Sequence, residues 1–291
     1  MNSLSRCKPL LGTYVDISIA APVSDDFLFH LTDLAFEEIG RIQSLMSFHD
    51  RNSELTKINK LAYLEPVAIS ADMENVVSHA LFLSALTNGI YDISVAESLM
   101  HHGGLPSVYN DIEQGSSSDI ALLNGHIKFA KNIKIDLGGI AKGYAVDQAL
   151  DILMAQPVSY EQVCINAGGD LRFLNWQNET ASIRHPSTKR RNCFLDVNMQ
   201  AAALATSAPS YTNKNSLIII PHNGSLLSSK DSISVFAPSC MIADAFTKIL
   251  FINPQSETLL KQFGATALKI NSKGTIIPFK HALLQQIKLP S

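Results

Sequence analysis

Apolar positions recur along this chain with two distinct periods. Between Leu11 and Ala20 they alternate, with Val15, Ile17 and Ile19 set against Tyr14, Asp16 and Ser18, which predicts a half-buried strand. From Leu28 the step lengthens to three or four residues through Leu31, Ala35, Ile39, Ile42 and Met46. That is the buried stripe of an amphipathic helix, and Ser24 followed by Asp25 and Asp26 supplies its N-cap and acidic first turn. A short helix is predicted over Ser53–Asn59. A longer one starts from a Ser70 cap and runs through Met73, Val76, Val77, Ala80, Leu83 and Leu86, to be stopped by Asn88-Gly89. Leu105–Asp119 is rich in Ser, Gly, Pro and Asn and reads as a surface loop. Strands are expected at 126–135, 162–166, 170–174, 180–184, 193–198, 202–206, 216–220, 232–236 and 266–271, and helices at 140–155, 239–251 and 255–262. Strands and helices mix without strict βαβ alternation, so the expected class is α+β rather than a doubly wound sheet.

Composition narrows the function classes. With 46% hydrophobic and 17% charged residues over 291 positions, the chain can bury a substantial core and is not a disordered segment. A formal net charge of −3 gives no electrostatic reason to bind nucleic acid or an anionic membrane, and Lys189-Arg190-Arg191 reads as solvated loop. Cys7, Cys164, Cys193 and Cys240 have neither CxxC spacing nor a paired framework, which suits free thiols in a reducing compartment. No apolar run reaches 18 residues and nothing after Met1 resembles a signal peptide, so a cytoplasmic protein without a membrane span is expected.

The chemistry concentrates where the 126–135 run ends, at Asp136-Leu-Gly-Gly-Ile-Ala-Lys-Gly143. A strand that turns through glycines into a helix brings free backbone N–H groups to one spot; Lys142 adds positive charge there and Asp136 an oxygen ligand, which suits a phosphate-bearing cofactor. The spacing fits neither a Walker loop nor a dinucleotide fingerprint. A plain strand-to-helix turn is the alternative reading. In Ile165-Asn-Ala-Gly-Gly-Asp-Leu-Arg172 the arginine can meet a phosphate or pair with Asp170. In Cys240-Met-Ile-Ala-Asp-Ala-Phe-Thr-Lys248, Asp244 and Thr247 share a helix face and offer hard oxygen donors of the kind Mg²⁺ takes. Tyr91 and Asp92, in Asn88-Gly-Ile-Tyr-Asp-Ile-Ser94, suit stacking on and hydrogen bonding to an aromatic ligand, or simply the start of a strand. The histidines form no metal signature.

Taken in order, Leu11-Gly-Thr13, the Ser47–Asn59 segment, Gly89-Ile-Tyr-Asp92, the Asp136–Gly143 turn, Asn166-Ala-Gly-Gly-Asp170, Ala205-Thr-Ser207 and Ala243-Asp244 resemble the FAD:protein FMN transferase (ApbE) family. The resemblance implies one ApbE-like domain over 10–285, with two intimately packed α/β subdomains and the flavin site between them. The implied activity is Mg²⁺-dependent transfer of the FMN moiety of FAD to a Thr or Ser hydroxyl of a target flavoprotein, with release of AMP. Alternatives are a non-catalytic FAD-binding or flavin-delivery protein, or a pyrophosphatase giving FMN and AMP. By matching positions, Ile90, Tyr91, Asp92, Asp136, Lys142 and Ile219 are implied FAD contacts. Gly139 (through its carbonyl), Asp244 and Thr247 are the implied metal shell, and Asp244 and Lys142 the catalytic pair. Three departures stand out. Lys248 occupies the slot four residues after Asp244 where the family carries threonine, Leu217-Ile-Ile-Ile-Pro-His-Asn-Gly224 lacks the family's histidine and aspartate, and Phe48 alone keeps an aromatic after the first helix.

Overall fold

A computed structural model describes residues 1–186, 194–208 and 217–279. It is an α+β structure whose contacts divide into two compact units: Met1–Arg41 with Lys142–Tyr211 and Ser229–Ser291, and Ile42–Ala141 with Thr212–Ser228.

The first unit is built on an eight-stranded sheet. In spatial order its strands are Asn2–Leu10, Thr13–Ala21, Gln162–Ala167, Asp170–Leu174, Ala203–Ser207, Ser232–Ala237, Thr266–Ile270 and Ile276–Pro278, and every neighbouring pair is antiparallel. The alternation read in the sequence is met on Thr13–Ala21, where Val15, Ile17, Ile19 and Ala21 are buried. The strand Asn2–Leu10 lies outside the elements that the pattern predicts. It pairs with Thr13–Ala21 across a tight turn in which Leu11 and Gly12 both take positive φ. Gly168 and Gly169, with φ of +67° and +107°, turn Gln162–Ala167 back on Asp170–Leu174, a conformation that excludes most side chains. On one face of the sheet, Leu171, Phe173, Leu204, Phe236, Leu268 and Ile270 pack with Ala181, Ile183 and Val197 of the hairpin Thr180–Arg184/Phe194–Asn198. The helix Cys240–Ile252 packs against the central strands; Ser239 caps it by accepting from Ile242 N at 3.3 Å. The predicted helix at 255–262 is broken, with a single α-turn at Glu257–Leu260 between two 3₁₀ turns.

The second unit carries the helices Glu54–Leu61, Ala71–Leu86 and Ala96–His101. Ser53 and Ser70 cap the first two, as read from the sequence, and Asn88-Gly89 ends the second with both φ values positive. A three-stranded sheet orders Val67–Ala68, His126–Phe129 and Ile120–Leu123. The strand expected over 126–135 therefore stops at Phe129. Beyond it, the Ile135 backbone finds its partners in a side chain, with Asn59 Nδ2 donating to Ile135 O at 2.9 Å and Ile135 N donating to Asn59 Oδ1 at 2.8 Å. A buried amide thus does the work of a neighbouring strand. Nor does a strand begin at Tyr91; Ala96–His101 is helical instead. Among the described residues no helix is long and apolar enough to cross a membrane.

Candidate active site

In the first unit, the helix Ala141–Met154 lies beside the helix Cys240–Ile252, and the residue that permits their approach is Gly143. A Cβ there would collide with the Cys240 carbonyl and lie 2.7 Å from Met241 Cα. Asp147, one turn on, fixes the junction: its two carboxylate oxygens accept from Cys240 N at 2.8 Å and Met241 N at 2.9 Å, capping the second helix from outside. Arg172 completes this contact by donating to Asp147 Oδ1 at 2.9 Å. Arg172 therefore pairs neither with Asp170 nor with an open phosphate position. Asp170 and Arg172 sit on one face of their strand, and each reaches a different partner on the Ala141–Met154 helix.

Asp170's partner is Lys142, and this pair opens a buried charge cluster. Lys142 Nζ bonds Asp170 Oδ2 and lies 3.6 Å from Asp244 Oδ2, while Lys248 Nζ bonds Asp244 Oδ1 from one turn along the same helix. Asp244 is fully buried and Asp170 nearly so. Burial works against the charge on Lys142, but the Asp170 and Asp244 carboxylates outweigh it and hold the ammonium above the ordinary lysine value. Burial also resists ionisation of Asp244, yet Lys142, Lys248 and the nearby Gly143 N–H keep its carboxyl below the usual range. Asp170 moves the other way: burial and the Asp244 charge raise it against the pull of the two lysines. Asp244, at the centre, is the carboxylate whose ionised form this cluster favours more.

Thr247 is fully buried beside it, its Oγ1 donating to the Asp244 carbonyl at 2.7 Å and lying 2.7 Å from Ser207 Oγ. Among the described residues Asp244 Oδ2 makes no hydrogen bond, although it is buried. Its charged neighbour on that side, the Lys142 ammonium at 3.6 Å, lies beyond hydrogen-bond reach, so this buried oxygen keeps accepting capacity that a closer cation could use. Beside a hydroxyl oxygen, it is donor chemistry that fits a hard divalent ion. Among the described residues, this cluster included, no three or more His, Cys, Asp or Glu side chains gather in a way that could hold a metal ion, so any ion here would rely on few protein ligands.

The remaining candidates belong to the second unit. Tyr91 is buried, with its hydroxyl 3.4 Å from the Gly139 carbonyl, so its ring is part of the unit's core. The Asp92 carboxylate accepts from Ser94 N, Ser94 Oγ, Ser117 N and Ser117 Oγ at 2.7–2.9 Å and so pins the loop that ends at Ser117. Asp136 accepts from Gly138 N at 3.0 Å, and its own N–H donates to Ile93 O at 2.8 Å, which fixes the turn's entry. Ile90 is half-buried, and Ile219 is buried on the short strand Ile219–Ile220. Phe48 and Tyr109 meet edge-to-face at 5.8 Å and line, with His49, Arg51 and Lys60, a half-open cleft of ≈ 610 Å³.

A model of the ApbE family matches residues 11–268, most of the chain. The chain belongs to that family. Curated relatives include the FAD:protein FMN transferase of Vibrio cholerae, 27% identical over 235 residues that cover 72% of this chain and 70% of the relative. The FAD:protein FMN transferase of Buchnera aphidicola is 26% identical over 271 residues, covering 83% and 77%. Among solved structures, the flavin transferase ApbE from Vibrio cholerae superposes with a TM-score of 0.80 at 21% identity, covering 96% of this chain and 98% of that one. The ApbE protein from Thermotoga maritima gives 0.79 at 22%, covering 96% and 97%. These likenesses establish the ApbE fold.

Proposed function

We propose that this ApbE-family chain transfers the FMN moiety of FAD to a Thr or Ser hydroxyl of an acceptor flavoprotein, with Mg²⁺, and releases AMP. Its relatives' shared name and the family match support the reaction, and the unbonded, buried Asp244 Oδ2 carries the assignment of the site.

In this reading the acceptor oxygen attacks the FMN phosphorus, the bond from that phosphorus to the AMP phosphate oxygen breaks, and the hydroxyl proton leaves to a base. Asp244 and Thr247 would hold Mg²⁺, which, when bound, neutralises charge on the non-bridging phosphate oxygens. Lys142, kept cationic by Asp170, places a second positive charge for the pyrophosphate. Because its pKa is depressed, Asp244 is a good cation ligand and a weak proton acceptor. No activated nucleophile is required of the chain itself, because the acceptor brings the hydroxyl. Ile90, Tyr91, Asp92, Asp136 and Ile219 are the proposed FAD contacts; the saturated carboxylate of Asp92 leaves backbone groups as that segment's polar handles.

The test is AMP release from FAD by the purified chain with Mg²⁺, followed by chromatography, for wild type and Asp244→Ala. Loss of Mg²⁺-stimulated release in the variant, with flavin binding still measurable, is expected. Equal release by both proteins would place the metal elsewhere.

A further inference from the structure

Lys248 presents an oddity within the cluster. Both ends of the Asp244 carboxylate already face an ammonium: Lys248 is bonded to Oδ1, and Lys142 lies 3.6 Å from Oδ2. Lys142 has a second partner in Asp170, whereas the one ion pair of Lys248 among the described residues is with Asp244. The Lys248 side chain keeps about a fifth of its surface exposed, so unlike the fully buried Asp244 it has a route out to solvent. Thr247 meanwhile has its hydroxyl committed to the Asp244 carbonyl and Ser207. A divalent cation arriving at this carboxylate meets a resident positive charge on a long, flexible stem, one turn away on the same helix face.

We propose that Lys248 is a built-in competitor for the divalent cation at Asp244, an ammonium that occupies the carboxylate until it is displaced and so sets a weak metal affinity for this chain. This rests on the reading that Asp244 holds the metal. Like charges packed against one carboxylate repel, and the penalty grows where water is excluded, so removing the ammonium should strengthen divalent binding. The charge, rather than the loss of a ligand oxygen, is the operative difference. An apolar replacement of similar length should then gain nearly as much as threonine.

The measurement is direct binding of Mn²⁺ to the full chain, read as free Mn²⁺ by electron paramagnetic resonance, for wild type, Lys248→Met, Lys248→Thr, Asp244→Asn and the double variant Lys248→Met/Asp244→Asn. The expected result is a dissociation constant at least about tenfold lower in both Lys248 variants than in wild type, with the gain abolished in the double variant. Equal Mn²⁺ affinity in wild type and both Lys248 variants, lost in Asp244→Asn, would overturn the competitor role and leave the Asp244 metal site standing. Mn²⁺ binding indifferent to Asp244→Asn, or none by the folded Lys248→Met protein at millimolar Mn²⁺, would remove the metal site and the competitor with it.

Discussion

Gly143 lies in the helix Ala141–Met154 and Gly40 in the helix Asp25–Met46, yet the structure predicts opposite outcomes for replacing them with alanine. By helix propensity alone, either change should stabilise by up to about 1 kcal/mol. At Gly40 a new Cβ meets nothing within 4 Å, so the gain should be realised. At Gly143 the new Cβ collides with the Cys240 carbonyl and approaches Met241 Cα at 2.7 Å, and these are backbone atoms that cannot rotate away. The two helices must separate by several tenths of an ångström or more, and overpacking of this kind costs about 1–3 kcal/mol. With rigid atoms on the receiving side, the upper part of that range applies. Net of propensity, Gly143→Ala should destabilise by ~1–2 kcal/mol. With an unfolding entropy of about 2.1 cal/mol/K per residue, a chain of this size converts that into a melting point lower by ~2–3 °C, against a rise of ~1–2 °C for Gly40→Ala. Calorimetry and urea titration of the two variants beside wild type provide the assay. The same displacement moves Lys142 away from Asp244, so AMP release in Gly143→Ala should fall by about 10- to 100-fold, on the scale of a misplaced catalytic group. A Gly143→Ala protein stabilised as much as Gly40→Ala would refute the close helix approach and the site geometry built on it.

One substitution probes the frame of the cluster, and thiol labelling probes burial across the chain. Asp147→Ala strips the acceptor from Cys240 N, Met241 N and Arg172, and should cost about 3–5 kcal/mol in urea unfolding, as for breaking a buried ion pair; a loss below 1 kcal/mol would show that the external cap is not needed. Among the thiols, burial pushes Cys164 up to about 12 and Cys240 well above the ordinary value, while Cys7 is exposed. At pH 8 the thiolate fraction of Cys164 is therefore ~10⁻⁴. Iodoacetamide followed by peptide mass spectrometry should mark Cys7 and spare Cys164 and Cys240 until the chain is denatured, with Cys164 labelling rising only as pH climbs toward its pKa.

The helices with serine caps and regular apolar stripes could be read from the sequence almost to the residue, because their signals are local. Lys142, Asp244 and Thr247 were also visible as candidates, through their residue types and their order along the chain. Their partners were not. Nothing local tells that Asp170 will face Lys142 across 28 residues, that Arg172 will turn instead to Asp147, or that Ser207 will reach Thr247. Those pairings follow from which strand lies under which helix. The overlong strand at 126–135 has a similar cause: Phe129 already faces Ile120, the first residue of its partner strand, and further on the Ile135 backbone is satisfied by Asn59, 76 residues earlier. Asn59 lies in a segment whose pattern signals only a short helix, and nothing local marks its amide as the partner of a backbone 76 residues away. Tyr91 and Asp92 read in the sequence as ligand contacts or as the start of a strand; no strand starts there, Tyr91 is buried, and the Asp92 carboxylate is hydrogen-bonded by two serines. Cys193 and the basic run Lys189-Arg190-Arg191 lie outside the described residues.

The most direct test of the central claim is intact-protein and peptide mass spectrometry of a candidate acceptor flavoprotein after incubation with this chain, FAD and Mg²⁺. The account predicts an FMN-sized mass addition on one Thr or Ser of the acceptor, with AMP formed in equal amount and both products absent when Mg²⁺ is chelated. AMP and free FMN without any labelled acceptor would make the chain a pyrophosphatase, and bound FAD with no AMP would make it a flavin carrier; either result contradicts the transferase.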